Sequence, residues 1–214
     1  EHEFQLNVLD TGRPLMRRFF DKCSTLLPGV NKPYLDYKVA GFEYRVGHSA
    51  FFQVNRFLLD PLVELATEGA EGESAVDLYA GVGLFSLPLA RKFSTIKSVE
   101  MGANASRDLA FNLEKTEGKA TPVRGKAEEF LASLEKAPDF LLADPPRSGL
   151  GKHAVRELVR LKPRHLAVVS CDPSTLARDL EPLIQAGYSI ERLALIDMFP
   201  QTFHLESVIH LRQP

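Results

Sequence analysis

The sequence predicts an α/β fold: a mostly parallel, doubly wound sheet, ending in an antiparallel C-terminal strand pair and preceded by a small N-terminal α+β appendage. Three observations predict it. From residue 74 onward each short apolar run is followed by a stretch with helical spacing, the pattern of crossover connections in a parallel sheet. The last two apolar runs follow one another with no helix between them, so they can pair only as antiparallel neighbours. Glycine and proline punctuate the boundaries between runs, as at Pro28-Gly29, Ala40-Gly41 and Gly187.

The elements follow in order. Residues 13–27 place Leu15, Met16, Phe19, Phe20, Cys23, Leu26 and Leu27 at helical spacing. Cys23 lies on that stripe and reads as core. Runs 34–39 and 42–46 flank Ala40-Gly41 as a β-hairpin. Asn55 is expected to cap a helix whose inner face carries Phe57, Leu58, Leu62, Leu65 and Ala66. Strands are then expected at 74–78, 95–99, 121–124, 139–143 and 165–169. The intervening helices cover 84–93, 103–113, 127–134, 152–161 and 174–185. Two long strands, 188–198 and 206–212, close the sheet. The boundary between the appendage, residues 1–50, and the main domain, residues 51–214, is drawn where the composition shifts slightly.

Bulk properties narrow the function. The chain has 214 residues, 44% hydrophobic and 25% charged, enough for a sizeable core. A formal net charge of −2 excludes a global basic field for nucleic acid, so any such contact must be local. Two cysteines, Cys23 and Cys171, cannot form a disulfide framework, a four-cysteine zinc site or an iron–sulfur cluster, and free thiols fit a reducing cytoplasm. The histidines are scattered, so no metal is expected. No run reaches the ~20 apolar residues of a membrane span. The chain opens at Glu1-His2-Glu3-Phe4 without a methionine, which reads as a fragment.

The chemistry gathers at strand ends. The run 165–169 leads into Ser170-Cys171-Asp172-Pro173, which places a thiol where a core strand leaves the sheet. In open α/β sheets that edge carries ligands. A buried structural cysteine is the alternative reading. Asp77-Leu78-Tyr79-Ala80-Gly81-Val82-Gly83 follows the first strand of the repeat and opens a helix. Its glycines allow a tight turn and close approach to a ligand, but the third glycine of the dinucleotide fingerprint is missing. Glu100 ends the next strand, where an acid suits a ribose diol. Together they fit an adenosine nucleoside as well as a dinucleotide, with Asp77, Gly81, Gly83 and Glu100 as the candidate cofactor set. Asp144-Pro145-Pro146-Arg147 forms a rigid lip at the same edge. Gln53 reads either as a surface residue or as a polar hand aimed into a pocket. Glu206 and His204, taken singly, read as surface groups.

As a group these strings are specific. SAFFQVN, DLYAGVG, SVE, LLADPPRSGL, VVSCDPSTLARDL and DMFPQTFHLESV occur in this order. They closely resemble the S-adenosylmethionine-dependent RNA uracil-5-methyltransferases, which make 5-methyluridine in transfer and ribosomal RNA, from about Gly41 to the C-terminus. The resemblance implies a Rossmann-like class I methyltransferase domain. It implies S-adenosyl-L-methionine as cofactor, contacted at Gln53, Tyr79, Glu100 and Asp144. It also implies Cys171 as nucleophile, Glu206 as general base and Arg147 as a contact to the substrate uracil. A cytoplasmic monomer acting on tRNA or rRNA is expected.

Some positions depart from the family. Ala80 stands where cysteine is frequent, and Leu84 removes a side-chain contact that some members make to the cofactor. Lys126 stands near another such contact. Asp172 replaces asparagine, and its charge is expected to raise the thiol's pKa. The RNA-binding β-barrel and iron–sulfur cysteines of some members are not found in this sequence. Three other readings remain open at this stage. One is methylation of an exocyclic amine, which also uses an Asp-Pro-Pro lip. Another is cytosine C5 methylation, which needs a second cysteine. The third is a cofactor- or RNA-binding module with little activity.

Overall fold

A computed structural model describes residues 34–47, 49–202 and 204–214. The helix expected over 13–27, with Cys23 on it, lies outside the described residues. Nine strands and six α-helices follow. They are β1 (Tyr34–Val39), β2 (Phe42–Gly47), α1 (Leu59–Ala66), β3 (Ser74–Leu78), α2 (Ser86–Leu89), β4 (Thr95–Glu100) and α3 (Ala103–Leu113). After these come β5 (Ala120–Arg124), α4 (Ala127–Ser133), β6 (Phe140–Ala143), α5 (Gly151–Leu161), β7 (His165–Ser170), α6 (Pro173–Gln185), β8 (Ser189–Ile196) and β9 (Glu206–Arg212).

The main sheet has seven strands in the order β5-β4-β3-β6-β7-β9-β8. β3 to β7 run parallel, and β9 lies antiparallel between β7 and β8. The sheet is therefore mostly parallel with an antiparallel end, as the pattern predicts. β6 and β7 are buried along their whole length, which explains their unbroken apolar sequences. Alternate residues feed two cores. Leu142, Ala167, Val169 and Val208 pack on one face with Leu62 of α1, Leu109 of α3 and Tyr44 of the hairpin. Leu141, Val168 and Ile209 pack on the other with Leu131, Leu158 and Leu183 of α4, α5 and α6.

Two elements differ from expectation. The helix expected over 84–93 is only the single turn of α2. Gly81 and Gly83 take φ of 55° and 97°, so the chain cannot spiral into a helix until it has left the loop. Pro88 then sits in that turn and has no N–H to donate. Asn55 does not cap α1, whose N-cap is Leu58 with no side-chain hydrogen bond. Its side chain instead accepts from Phe57 N–H at 3.2 Å, closing a turn ahead of the helix. Phe57 consequently points outward, 81% exposed.

The hairpin is tied to the turn after β3 by buried polar bonds. The fully buried Tyr44 hydroxyl donates to Leu84 O at 3.0 Å. The Asn112 amide on α3 donates to both Arg45 O and Val82 O at 2.9 Å and accepts from Arg45 N–H. Gly47 N–H donates to Asp108 at 2.7 Å. A buried carbonyl that loses its donor pays its desolvation cost in full. Tyr44→Phe is therefore expected to lower the unfolding free energy by about 1–2 kcal/mol in urea denaturation followed by circular dichroism.

Candidate active site

Strand register decides which side chains meet. Leu78 is level with Val99 on one side and Ala143 on the other, and Ala143 is level with Val168. Tyr79, Glu100, Asp144 and Cys171 thus emerge at one edge of the sheet, each at or just past its strand's end. β9 runs the other way, so its first residue reaches the same edge. Its pairing with β7 ends at Ser170↔Ser207, and one further step sets Cys171 opposite Glu206. A cavity of about 930 Å³ opens there, lined by Gln53, Tyr79, Gly81, Glu100, Asp144, Arg147, Cys171 and Glu206. Two of the expected residues stand apart from it. Asp77 is fully buried beneath the glycine turn. Gly83 packs against α3, where an added Cβ would sit 3.0 Å from Leu109 Cδ1.

One half of the cavity has the features of a nucleoside cradle. Both Glu100 carboxylate oxygens accept backbone bonds, Oε2 from Gly81 N–H at 2.9 Å and Oε1 from Gly102 N–H at 2.5 Å. That fixes the carboxylate and leaves a lone pair on each oxygen for a diol. A Cβ added at Gly81 would meet nothing within 4 Å, so the backbone there faces open space. Tyr79 holds a left-handed backbone, φ 60°, which a non-glycine residue adopts only when its surroundings impose it. Gln53, from the segment before α1, is buried and donates through Nε2 to Asp144 Oδ2 at 3.3 Å. Its Oε1 is buried with no hydrogen-bond partner among the described residues. These groups fit S-adenosylmethionine, which carries a ribose diol, an adenine and an amino group.

The other half is built of titratable groups held away from water. Burial pushes the Glu206 carboxyl up to about 7, on a side chain that is nearly solvent-free. Burial, and then the neighbouring Glu206, raise Asp144 well above the usual carboxylate range. The Cys171 thiol is also raised, first by burial and then by Glu206, while the Arg147 guanidinium pulls it down. Asp172 is not among the groups acting on the thiol. Its carboxylate caps α6, accepting from Ser174 and Thr175 N–H at 2.9 Å, and those bonds hold its own pKa down. Leu84 and Lys126 also line the cavity, and Lys126 is paired with Glu129 at 3.1 Å. Among the described residues no group of three or more histidines, cysteines and acids could hold a metal, and no helix is long and apolar enough to cross a membrane.

The sequence profile of the tRNA (uracil-5-)-methyltransferase family matches residues 31–214. The chain belongs to this family. An uncharacterized RNA methyltransferase of Listeria monocytogenes is 35% identical over 202 residues, covering 90% of this chain and 44% of its own. One from Thermotoga maritima is 37% identical over 182 residues, covering 79% of this chain and 39% of its own. The chain thus spans less than half the length of these curated relatives. Among solved structures, the tRNA (uracil-54, C5)-methyltransferase of Pyrococcus abyssi in complex with S-adenosyl-L-homocysteine matches with a TM-score of 0.74 and 33% identity. That match covers 84% of this chain and 44% of the other. The M. jannaschii tRNA m1G37 methyltransferase, at 14% identity and a TM-score of 0.64, shares the fold alone.

Further side chains, to which the sequence pattern gives no role, also line the cavity. Phe51, Phe52, Phe85 and Phe199 are among them, and Phe51 is 70% exposed. The aromatics flanking Gln53 were the available signal. Asp77 has a supporting place instead. It accepts from Ser86 Oγ at 2.5 Å, bracing the turn from below, and its Oδ1 has no partner among the described residues. Burial lifts its carboxyl from an ordinary 3.8 to about 7. Between those values the unfolded chain releases a proton that the folded chain keeps. The stabilisation is therefore complete below 3.8 and is lost as pH rises through about 7. Unfolding free energy measured from pH 4 to pH 8 should fall less steeply for Asp77→Asn than for the native chain, by up to about 1.4 kcal/mol per pH unit.

Proposed function

We propose that this chain is the catalytic part of an S-adenosylmethionine-dependent RNA methyltransferase that acts on C5 of a uridine in tRNA or rRNA, in the cytoplasm. One observation carries the reading: Cys171 and Glu206, each one residue beyond the last β7–β9 pair, Ser170↔Ser207, line the same cavity as Glu100. A cavity serving only to bind a nucleoside would need neither a thiol nor a second buried acid beside it. Amine methylation would not need the thiol. Cytosine C5 methylation, in its usual form, calls for a second cysteine, and among the described residues Cys171 is the one cysteine lining the cavity.

The residues divide the work as follows. Glu100, Gly81, Tyr79, Gln53 and Asp144 hold the cofactor. When bound, S-adenosylmethionine supplies a methyl group on a positively charged sulfur. Uracil C5 is too weak a nucleophile to take it unaided. Cys171 loses its proton to solvent, and its thiolate adds to C6, moving the ring electrons onto C5 and the C4 oxygen. Arg147 offsets the enolate charge. The same guanidinium lowers the thiol's pKa, working against burial and Glu206. Once C5 bears the new methyl group, the Glu206 carboxylate removes the C5 proton. The C5–C6 double bond re-forms and expels the Cys171 thiolate. A carboxyl near 7 is suited to this step, being basic enough to take the proton and readily returned to its charged form. The target base must leave its stack to enter the cavity.

RNA carrying 5-fluorouridine has no removable C5 proton, so it should trap a covalent adduct on Cys171. A peptide map of bound enzyme with that cysteine unmodified would sink the mechanism. Glu206→Gln should slow release of free methylated RNA by about a hundredfold or more while attached, methylated RNA accumulates. Free product at the native rate would remove Glu206 from the role.

A further inference from the structure

The DPPR lip is held by a pair of side chains to which the reaction assigns no part. Arg147 is exposed and sits in a turn, so its own packing does not fix it. The turn is instead gripped from α6. Asp179 is 4% exposed and accepts from Leu150 N–H at 2.6 Å through Oδ2. Arg178 donates to Asp179 Oδ1 at 3.0 Å and to Ser148 O at 2.7 Å. Gly149 passes between them with φ 78°, and an added Cβ would lie 2.3 Å from Asp179 Oδ2, 2.7 Å from Arg178 Nη2 and 3.2 Å from Thr175 Cβ. The turn is closed upon itself by Gly149 N–H to Pro146 O at 2.8 Å. Thr175, Arg178 and Asp179 are spaced as one helix face, and the first turn of that helix is capped by Asp172, next to Cys171. The thiol thus sits just before the cap of α6, and the grip on the lip lies about two turns further along the same helix. Tyr79, at the end of the neighbouring strand β3, reaches the same turn through its hydroxyl, 3.5 Å from Leu150 O.

We propose that the Arg178–Asp179 pair is a positioning element that sets Arg147 relative to Cys171, so that one rigid helix fixes the distance between nucleophile and guanidinium. The proposal rests on the uracil-methylation reading for the roles of those two residues. A half-exposed surface ion pair contributes little stability by itself. Here the carboxylate is buried and bonded to backbone, and displacing the turn by about an ångström can cost a hundredfold in rate.

The test uses the full chain in five variants: Asp179→Asn, which keeps volume but loses the charge; Arg178→Ala, on a half-exposed residue whose loss should be tolerated by the fold; Arg147→Ala; and each of the first two combined with Arg147→Ala. Three quantities are read: amide hydrogen exchange at Gly149 and Leu150, S-adenosylmethionine affinity by calorimetry, and the rate of adduct formation with 5-fluorouridine RNA. The expected result is faster exchange at the turn, cofactor affinity within about twofold and adduct formation slowed about tenfold or more in each of the first two variants. In the Arg147→Ala background neither change should slow the reaction further, because the pair acts through that residue. Unchanged exchange at the turn overturns the proposal. So do losses that multiply in the double variants, which would mark a general structural role. Absence of any adduct on Cys171 in the native chain would overturn the uracil reading instead, while the exchange arm still reports whether the pair holds the turn.

Discussion

The structure depends on one constraint: β9 enters the sheet antiparallel, between β7 and β8. A parallel strand in that place would carry its first residue to the far edge of the sheet. Reversed, it brings Glu206 to the edge where Cys171, Asp144, Glu100 and Tyr79 end their strands. The pairing is secured by burial on both faces, since Val208 feeds one core and Ile209 the other. A slip of one residue would exchange those faces, so the hydrophobic pattern also fixes the pair of reactive groups.

Burial and reactivity are linked by the same geometry. The acids at the sheet edge are raised because the strands that carry them are central and desolvated. A solvated glutamate at this position would be a poorer proton acceptor at neutral pH, and its charge would not be felt as strongly by the thiol. The cofactor side works in the opposite sense. Glu100 is anchored by two backbone donors, so one carboxylate holds the glycine turn and the start of the loop after β4 together. Behind that turn, the hairpin and α3 supply Tyr44 and Asn112, and beneath it Asp77 and Ser86 complete the support.

Much of this was legible in the sequence. The alternation of apolar runs and helical stretches gives the parallel sheet, and the two consecutive runs at the C-terminus give its antiparallel end. The strings around Gly81, Asp144 and Cys171 point to strand ends. The misreadings share a cause. The 84–93 helix was drawn from apolar spacing, but two left-handed glycines and Pro88 shorten it to one turn. Asn55 was read as a cap from its residue type, but its side chain closes a local turn instead. In each case the deciding interaction is a backbone angle or a side-chain direction that residue type and spacing do not record.

The sequence by itself determined the class of fold, the order of its elements and the kinds of group available for chemistry, because hydrophobic periodicity and turn residues act locally. Only the tertiary structure decided that Glu206, thirty-five positions beyond Cys171 and reading alone as a surface glutamate, is 2% exposed and faces the thiol. It also decided that Asp77 lies beneath the cavity rather than in it, and that Arg178 and Asp179 grip the lip. These outcomes depend on strand order and register. Both are set by how two apolar faces are buried at once, a property of the whole sheet that no single stretch of chain contains.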